Sequence, residues 1–277
     1  MIKVDFHIHT SCSDGVLSPI EVVKRANANC VEYLAITDHD TLSGISPALE
    51  ESKNCNVKII PGIELSTQHN DESIHILGFF KDDNYKNKNL IKELEQIKNH
   101  RIIRTKKMIK KLKDNFNINI DFEKILESSK DTIARPHIAR AIIDAGYNFD
   151  FEYIFNNFIG KNCKAYVPTL KLSTIDGINM LKKYNCITIL AHPKLISNTN
   201  IDEFLDMNLD GIEAIYYQNT PEETLKFVDI ANKNKLLITS GSDFHGNIST
   251  DTRHGDIGSM NLPQPYLENF LIALNIK

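Results

Sequence analysis

Six times along this chain an apolar run of strand length leads into a histidine or a carboxylate. The stretch "VDFHIHTSCSDG" carries His7, His9 and Asp14, "EYLAITDHD" carries Asp38, His39 and Asp40, and "PGIELS" carries Glu64. "SIHILGFF" holds His75, "CITILAHP" runs into His192, and "LLITSGSDFH" into Asp243 and His245. His7 and His9 are two residues apart, so an extended strand puts both imidazoles on one face. Neighbouring imidazoles repel when protonated, but when neutral they can share a cation. One such ending says little. Six in one chain, nearly all at the same end, are the arrangement of an α/β barrel whose active site sits at the C-terminal face of its strands.

The rest of the chain fits that frame. Strand-like and helix-like stretches alternate, which implies a parallel sheet, and runs such as "YLAIT" and "ITILA" suit strands covered on both faces. Ser18, Pro19 and Glu21 have the spacing of a capped helix start after the first strand, Ile2–His9. The rhythm breaks between Tyr85 and Gly160, where helix-like segments follow one another through "RPHIARAIIDAGY" and "DFEYIFNNFIG". The expected organisation is a barrel domain from residues 1–84 and 161–277, with a helical insertion at 85–160. Between Lys86 and Lys113 that insertion carries eleven Lys or Arg against Glu93 and Glu95. Such a helix is either a solvated face or an electropositive cap that draws in phosphorylated substrates.

The potential ligands are His7, His9, Asp14, His39, Glu64, His75, His192, Asp243 and His245: six imidazoles and three carboxylates. That exceeds what one ion needs. With one carboxylate bridging, the set would serve two or three ions and leave positions for water and substrate. Mixed nitrogen and oxygen ligation suits Mn²⁺, Fe²⁺ or Zn²⁺. The five cysteines are scattered without a CxxC pair, which points away from a thiolate site and toward a reducing, cytoplasmic setting. Cys12, near the opening histidines, reads as a small buried or loop thiol in preference to a ligand. A formal net charge of −4 argues against general attraction to nucleic acid. No apolar run approaches a membrane span, and neither a signal peptide nor an obligate protein partner is evident.

Taken together, "FHIHTSCSDG", "ITDHDT", "PGIELS", "HILGF", "LAHP" and "SDFHG" resemble the motif set of the PHP (polymerase and histidinol phosphatase) family. The layout is similar to its bacterial members that dephosphorylate 3',5'-bisphosphorylated nucleosides or trim RNA 5' ends. The resemblance implies a distorted (β/α)7 TIM-like barrel. It also implies that His7, His9, Glu64 and Asp243 hold one ion. Glu64 then bridges to a second ion on His75 and His192, and Asp14, His39 and His245 take a third. Glu64, Asp243 and His192 are the expected catalytic residues on that pattern, and Arg135 in "ARPHIAR" the expected phosphate contact.

His137 either joins Arg135 or only starts a helix after Pro136. Lys164 and His254 complete the substrate-binding candidates, while Asp38 and Asp40 are expected to orient ligands. The implied activity is metal-dependent hydrolysis of a phosphate ester on a small phosphorylated nucleotide or short RNA. Three rivals remain: a histidinol phosphate phosphatase, an amidohydrolase-type enzyme, and a non-catalytic metal- or nucleic-acid-binding module.

Overall fold

The computed structural model describes residues 2–129, 133–168, 172–246 and 253–276. The chain divides into two compact units, Met1–Ile91 with Lys171–Lys277, and Lys92–Leu170. Among the described residues of the first unit, seven strands form one sheet in chain order. They are β1 (Lys3–Asp5), β2 (Val31–Ile36), β3 (Lys58–His69), β4 (Glu72–Phe80), β5 (Cys186–Leu190), β6 (Gly211–Tyr216) and β7 (Leu237–Gly241). The sheet curls until its edges meet. Phe6 N–H donates to the Ser240 carbonyl at 3.1 Å, Asp243 N–H to His7 at 3.0 Å, and His9 N–H to Phe244 at 2.9 Å. Val4, Phe6, Ala35, Leu77, Ile189 and Ala214 are buried together in one hydrophobic cluster.

Helices α1 (Pro19–Ala28) and α2 (Ile45–Ser52) follow β1 and β2. Ser18 and Glu21 close a reciprocal capping box at the start of α1, as their spacing requires. Between β4 and β5 come α3 (Lys88–Phe116), α4 (Phe122–Ser129), α5 (Arg135–Asp144) and α6 (Phe151–Ile154), the last running into a π-turn at Phe155–Ile159. The chain continues through α7 (Thr174–Lys183), α8 (Asp202–Leu205), α9 (Pro221–Lys233) and α10 (Gln264–Ala273). The second unit has its own core, with Met108, Leu112, Ile138, Ile142, Ile154 and Phe158 buried together. The first boundary between the units, Ile91 to Lys92, falls within α3. No helix among the described residues is long and apolar enough to cross a membrane.

The sheet departs from the all-parallel expectation at one strand. β4 is antiparallel to both β3 and β5, while the other pairs are parallel. The cause is local. Asn70 and Asp71 both adopt positive φ (46° and 62°), and His69 pairs directly with Glu72, so β3 and β4 form a two-residue hairpin. β1 is also shorter than the expected Ile2–His9 strand: regular pairing ends at Asp5, and Ile8 meets Phe244 in an isolated bridge.

Candidate metal centre

The reversed strand is what brings His75 to the mouth of the barrel. The regular pairing of β2 with β3 ends at Pro61, and the second half of β3 runs on beside β4. Glu64 and His75 therefore lie inside strands, not at their ends. On the antiparallel pair they are diagonal neighbours, with Glu64 opposite Leu77 and His75 opposite Ser66. Glu64 also forms a backbone bridge to His39, which continues the line of β2.

Glu64 is the hub. It is 1% exposed, and its two oxygens meet five imidazoles. Oε1 lies 2.9 Å from His192 Nε2, 3.0 Å from His75 Nδ1 and 3.4 Å from His7 Nε2. Oε2 lies 2.9 Å from His39 Nδ1 and 3.2 Å from His9 Nε2. Asp243 Oδ1 faces His9 at 3.2 Å, His7 at 3.4 Å and His245 at 3.7 Å. Asp14 stands 3.4 Å from His245 Nε2, 3.6 Å from His9 Nδ1 and 3.8 Å from His39 Nε2. All nine expected ligands thus meet in one place.

His254, expected to touch substrate, lies 3.6 Å from Asp243 Oδ2, with its ring 4.2 Å from that of His245 and tilted 30° to it. Among the described residues, the groups whose ligand atoms lie within 4.8 Å of one another contain these ten residues and no cysteine.

The charges are strongly coupled. Burial alone would push the Glu64 carboxyl up, but His39, His7 and His75 hold it well below the ordinary carboxylate range. Asp14 and Asp243 are likewise held well below it, against burial, by His39 and His245 and by His7 and His9 respectively. Burial disfavours a charged His39, yet Glu64 and Asp14 raise it to about 10. Asp14 does the same for His245, to about 9. His75 moves the other way, lowered by burial and by the neighbouring His39 and His192.

The residues present fit divalent cations. His7 Nε2 and His9 Nε2 face each other at 3.2 Å, an arrangement that a shared cation stabilises better than two protons. Asp14 Oδ1 is buried outside hydrogen-bond geometry with the ring nitrogens around it. The donor set is imidazole and carboxylate throughout, which suits first-row divalent ions. His192 (φ 27°) and Asp243 (φ 54°) also hold left-handed backbone, a conformation that costs on the order of 1–3 kcal/mol and concentrates at functional sites.

Surrounding groups hold the ligands in place. Asp38, buried, accepts from Thr10 N–H at 2.7 Å, Thr10 Oγ1 at 2.8 Å and Ser13 Oγ at 2.6 Å. Ser13 Oγ in turn lies 3.4 Å from His9 Nδ1. Asp40 accepts from Ser66 N–H at 2.7 Å, tying the loop after β2 to β3.

Two more residues belong to this shell, and no motif announces them. Glu213, fully buried on β6, contacts His7 Nδ1 at 3.0 Å. Tyr216 donates its hydroxyl to Asp243 Oδ2 at 3.0 Å. The available signal was the acid inside "GIEAIY", a strand otherwise built for burial on both faces.

The remaining candidates belong to the second unit. Arg135 opens α5, with its guanidinium 5.5 Å over the Phe155 ring. Burial, together with the neighbouring Arg135 and Arg101, lowers Arg104 to about 10, so three guanidinium groups sit close together there. His137 Nδ1 accepts the Ala134 N–H at 3.0 Å and so closes the helix start. Lys164 is exposed.

The chain is similar to known proteins over most of its length. Residues 5–153 match the PHP domain family. A 5'-3' exoribonuclease of Haemophilus influenzae is 28% identical over 250 residues, covering 88% of this chain and 90% of the relative. A 3',5'-nucleoside bisphosphate phosphatase of Chromobacterium violaceum is 27% identical over 253 residues, covering 88% of each. The solved structure of a candidate metal-dependent phosphoesterase from Bifidobacterium adolescentis superposes with a TM-score of 0.83 at 29% identity, covering 98% of this chain and 96% of that one. The matched family segment exceeds half of the chain and carries the first six ligands of the centre, and on that ground the protein belongs to the PHP domain family.

Proposed function

We propose that this PHP-domain protein, a metal-dependent phosphoester hydrolase, acts on phosphorylated nucleotides, either free bisphosphates or the 5' ends of short RNA. The observation that carries the reading is Glu64, one buried carboxylate shared by five imidazoles. In this reading His7, His9, Glu64 and Asp243 hold one divalent ion. Glu64, His75 and His192 hold a second, and Asp14, His39 and His245 a third. Manganese is the first choice, with Fe²⁺ and Zn²⁺ as alternatives. When bound, the ions supply an activated water and the positive charge that phosphoryl transfer needs.

The protein's own groups do the rest. Glu64 and Asp243 keep the ions close together, and His192 places its ring against the shared carboxylate. Arg135 neutralises substrate phosphate through its planar fork. The buried Arg104, whose charge is disfavoured by burial and by the neighbouring Arg135 and Arg101, supports that role, because an anion beside them relieves this repulsion. The two curated relatives described above act on a nucleotide or on RNA, and this favours nucleotide substrates over histidinol phosphate.

The test is a phosphate-release assay on purified protein, stripped with chelator and then reloaded with Mn²⁺, Fe²⁺ or Zn²⁺. The panel holds a nucleoside 3',5'-bisphosphate, a short 5'-phosphorylated RNA and histidinol phosphate. Turnover of the nucleotide substrates that depends on added metal supports the reading. Turnover indifferent to chelator, or confined to histidinol phosphate, rejects it.

A further inference from the structure

Glu213 touches two of the proposed ligands, but none of the converging ligand groups includes it. His7 Nδ1 lies 3.0 Å from Oε1 and 3.2 Å from Oε2, and Oε2 also accepts the backbone N–H of His192 at 2.8 Å. The neighbouring strand has made room for this pair. A Cβ at Gly241 on β7 would fall 2.1 Å from Glu213 Oε1 and 2.3 Å from His7 Cβ, so no side chain fits there while the contact exists. At the end of a strand as within it, a glycine admits such a close approach. His192 is the residue with φ 27°, and its amide is anchored by this carboxylate. The His7 and His192 rings lie stacked, 5.6 Å apart and 23° from parallel.

We infer that Glu213 is a positioning residue that serves two metal ions at once. By accepting from Nδ1 it commits His7 to present Nε2 to one ion, since an imidazole ligand is oriented by the bond its other nitrogen makes. By holding the amide of His192 it fixes the strained turn from which that ring reaches the second ion. The inference rests on the ligand assignment proposed above. It adds a coupling: loss of Glu213 weakens both ions together, although it ligates neither. A glutamine cannot replace it, because its side chain offers one oxygen and one NH₂. With the oxygen toward His192 the NH₂ takes the place of Oε1, 3.0 Å from His7 Nδ1, and favours the other imidazole tautomer; with the oxygen toward His7 the His192 N–H faces a donor.

The experiment titrates metal-free parent protein and Glu213→Gln with Co²⁺, following visible absorption and stoichiometry, and records the unfolding temperature of each with and without Mn²⁺. The expected result is a variant whose loss of melting temperature is clearly larger with Mn²⁺ than without it. It binds Co²⁺ roughly ten- to a hundredfold more weakly, with altered bands and a diminished Mn²⁺-induced stabilisation. A variant that titrates as the parent does, or that melts lower by an equal amount with and without metal, overturns the inference and leaves Glu213 as packing.

A second measurement needs no variant. In Zn²⁺-loaded parent protein, imidazole nitrogen resonances should show His7 protonated at Nδ1 and ligated through Nε2, and ligation through Nδ1 overturns the inference. Failure of the underlying ligand assignment looks different, because the parent itself would then take up no stoichiometric metal.

Discussion

Glu64 and His192 are 128 residues apart in sequence, yet Glu64 Oε1 and His192 Nε2 stand 2.9 Å from each other at the mouth of the barrel. The same carboxylate oxygen meets His75 Nδ1 at 3.0 Å. A buried charge this heavily shared is stable only while cations surround it, whether protons on imidazoles or metal ions.

Glu64→Gln should therefore remain folded and lose most activity. The amide is nearly isosteric but cannot hold two cations together. The expected loss is on the order of a hundredfold or more in turnover, with reduced metal content. Near-normal turnover together with parent-like metal content would show that Glu64 is not the bridge.

Metal analysis of well-loaded protein should find two or three divalent ions per chain. The convergence of ten potential ligands in overlapping groups motivates the number. A single tightly held ion that is unaffected when His75 and His192 are replaced would contradict it.

Metal binding should release protons, and more strongly as pH falls below the imidazole values. In the metal-free protein His39 is raised to about 10 and His245 to about 9, so at neutral pH a metal must displace their protons. Apparent affinity should then climb as pH rises from 7 toward 9. Stability of the metal-free protein should move the other way. A histidine whose pKa is raised by folding contributes stability that is fully present below its ordinary value of 6.5 and lost as pH rises through about 9 to 10. Calorimetric titrations in buffers of different ionisation enthalpy count the protons, and melting curves across pH test the second half. Affinity independent of pH over this range would mean that these imidazoles are not ligands.

Arg135→Ala should weaken turnover of small phosphorylated substrates without releasing metal. A charge-assisted contact to phosphate contributes about 1.5–3 kcal/mol, so kcat/KM should fall roughly ten- to a hundredfold. Arg135→Lys should recover only part of this, since an ammonium keeps the charge but not the fork. Unchanged kinetics in the alanine variant would shift attention to the basic helix α3. Steering by that helix would show as rates that fall steeply with added salt.

The chemistry of the centre was legible in the sequence because ligand identity is a local property. Each motif pairs an apolar run with a side chain that can bind metal, and six such motifs rarely have another use. The start of α1 was legible for the same reason, since Ser18 and Glu21 satisfy each other within one helical turn. The direction of β4 was less plain. Its signal was two residues, Asn70 and Asp71, whose positive φ turns the chain back on itself, and periodicity does not record strand direction.

The sequence alone thus determined which residues could bind metal, and that strands and helices alternate around them. Only the tertiary structure decided that β4 runs backwards to carry His75 to Glu64, and that the edges of the sheet meet through His7 and Asp243. It also decided that Glu213, with Gly241 yielding space, stands behind His7. These relationships join residues on different strands. They arise only when barrel closure brings the strands together, because spacing along one strand records which face a side chain takes and nothing of what will stand opposite it.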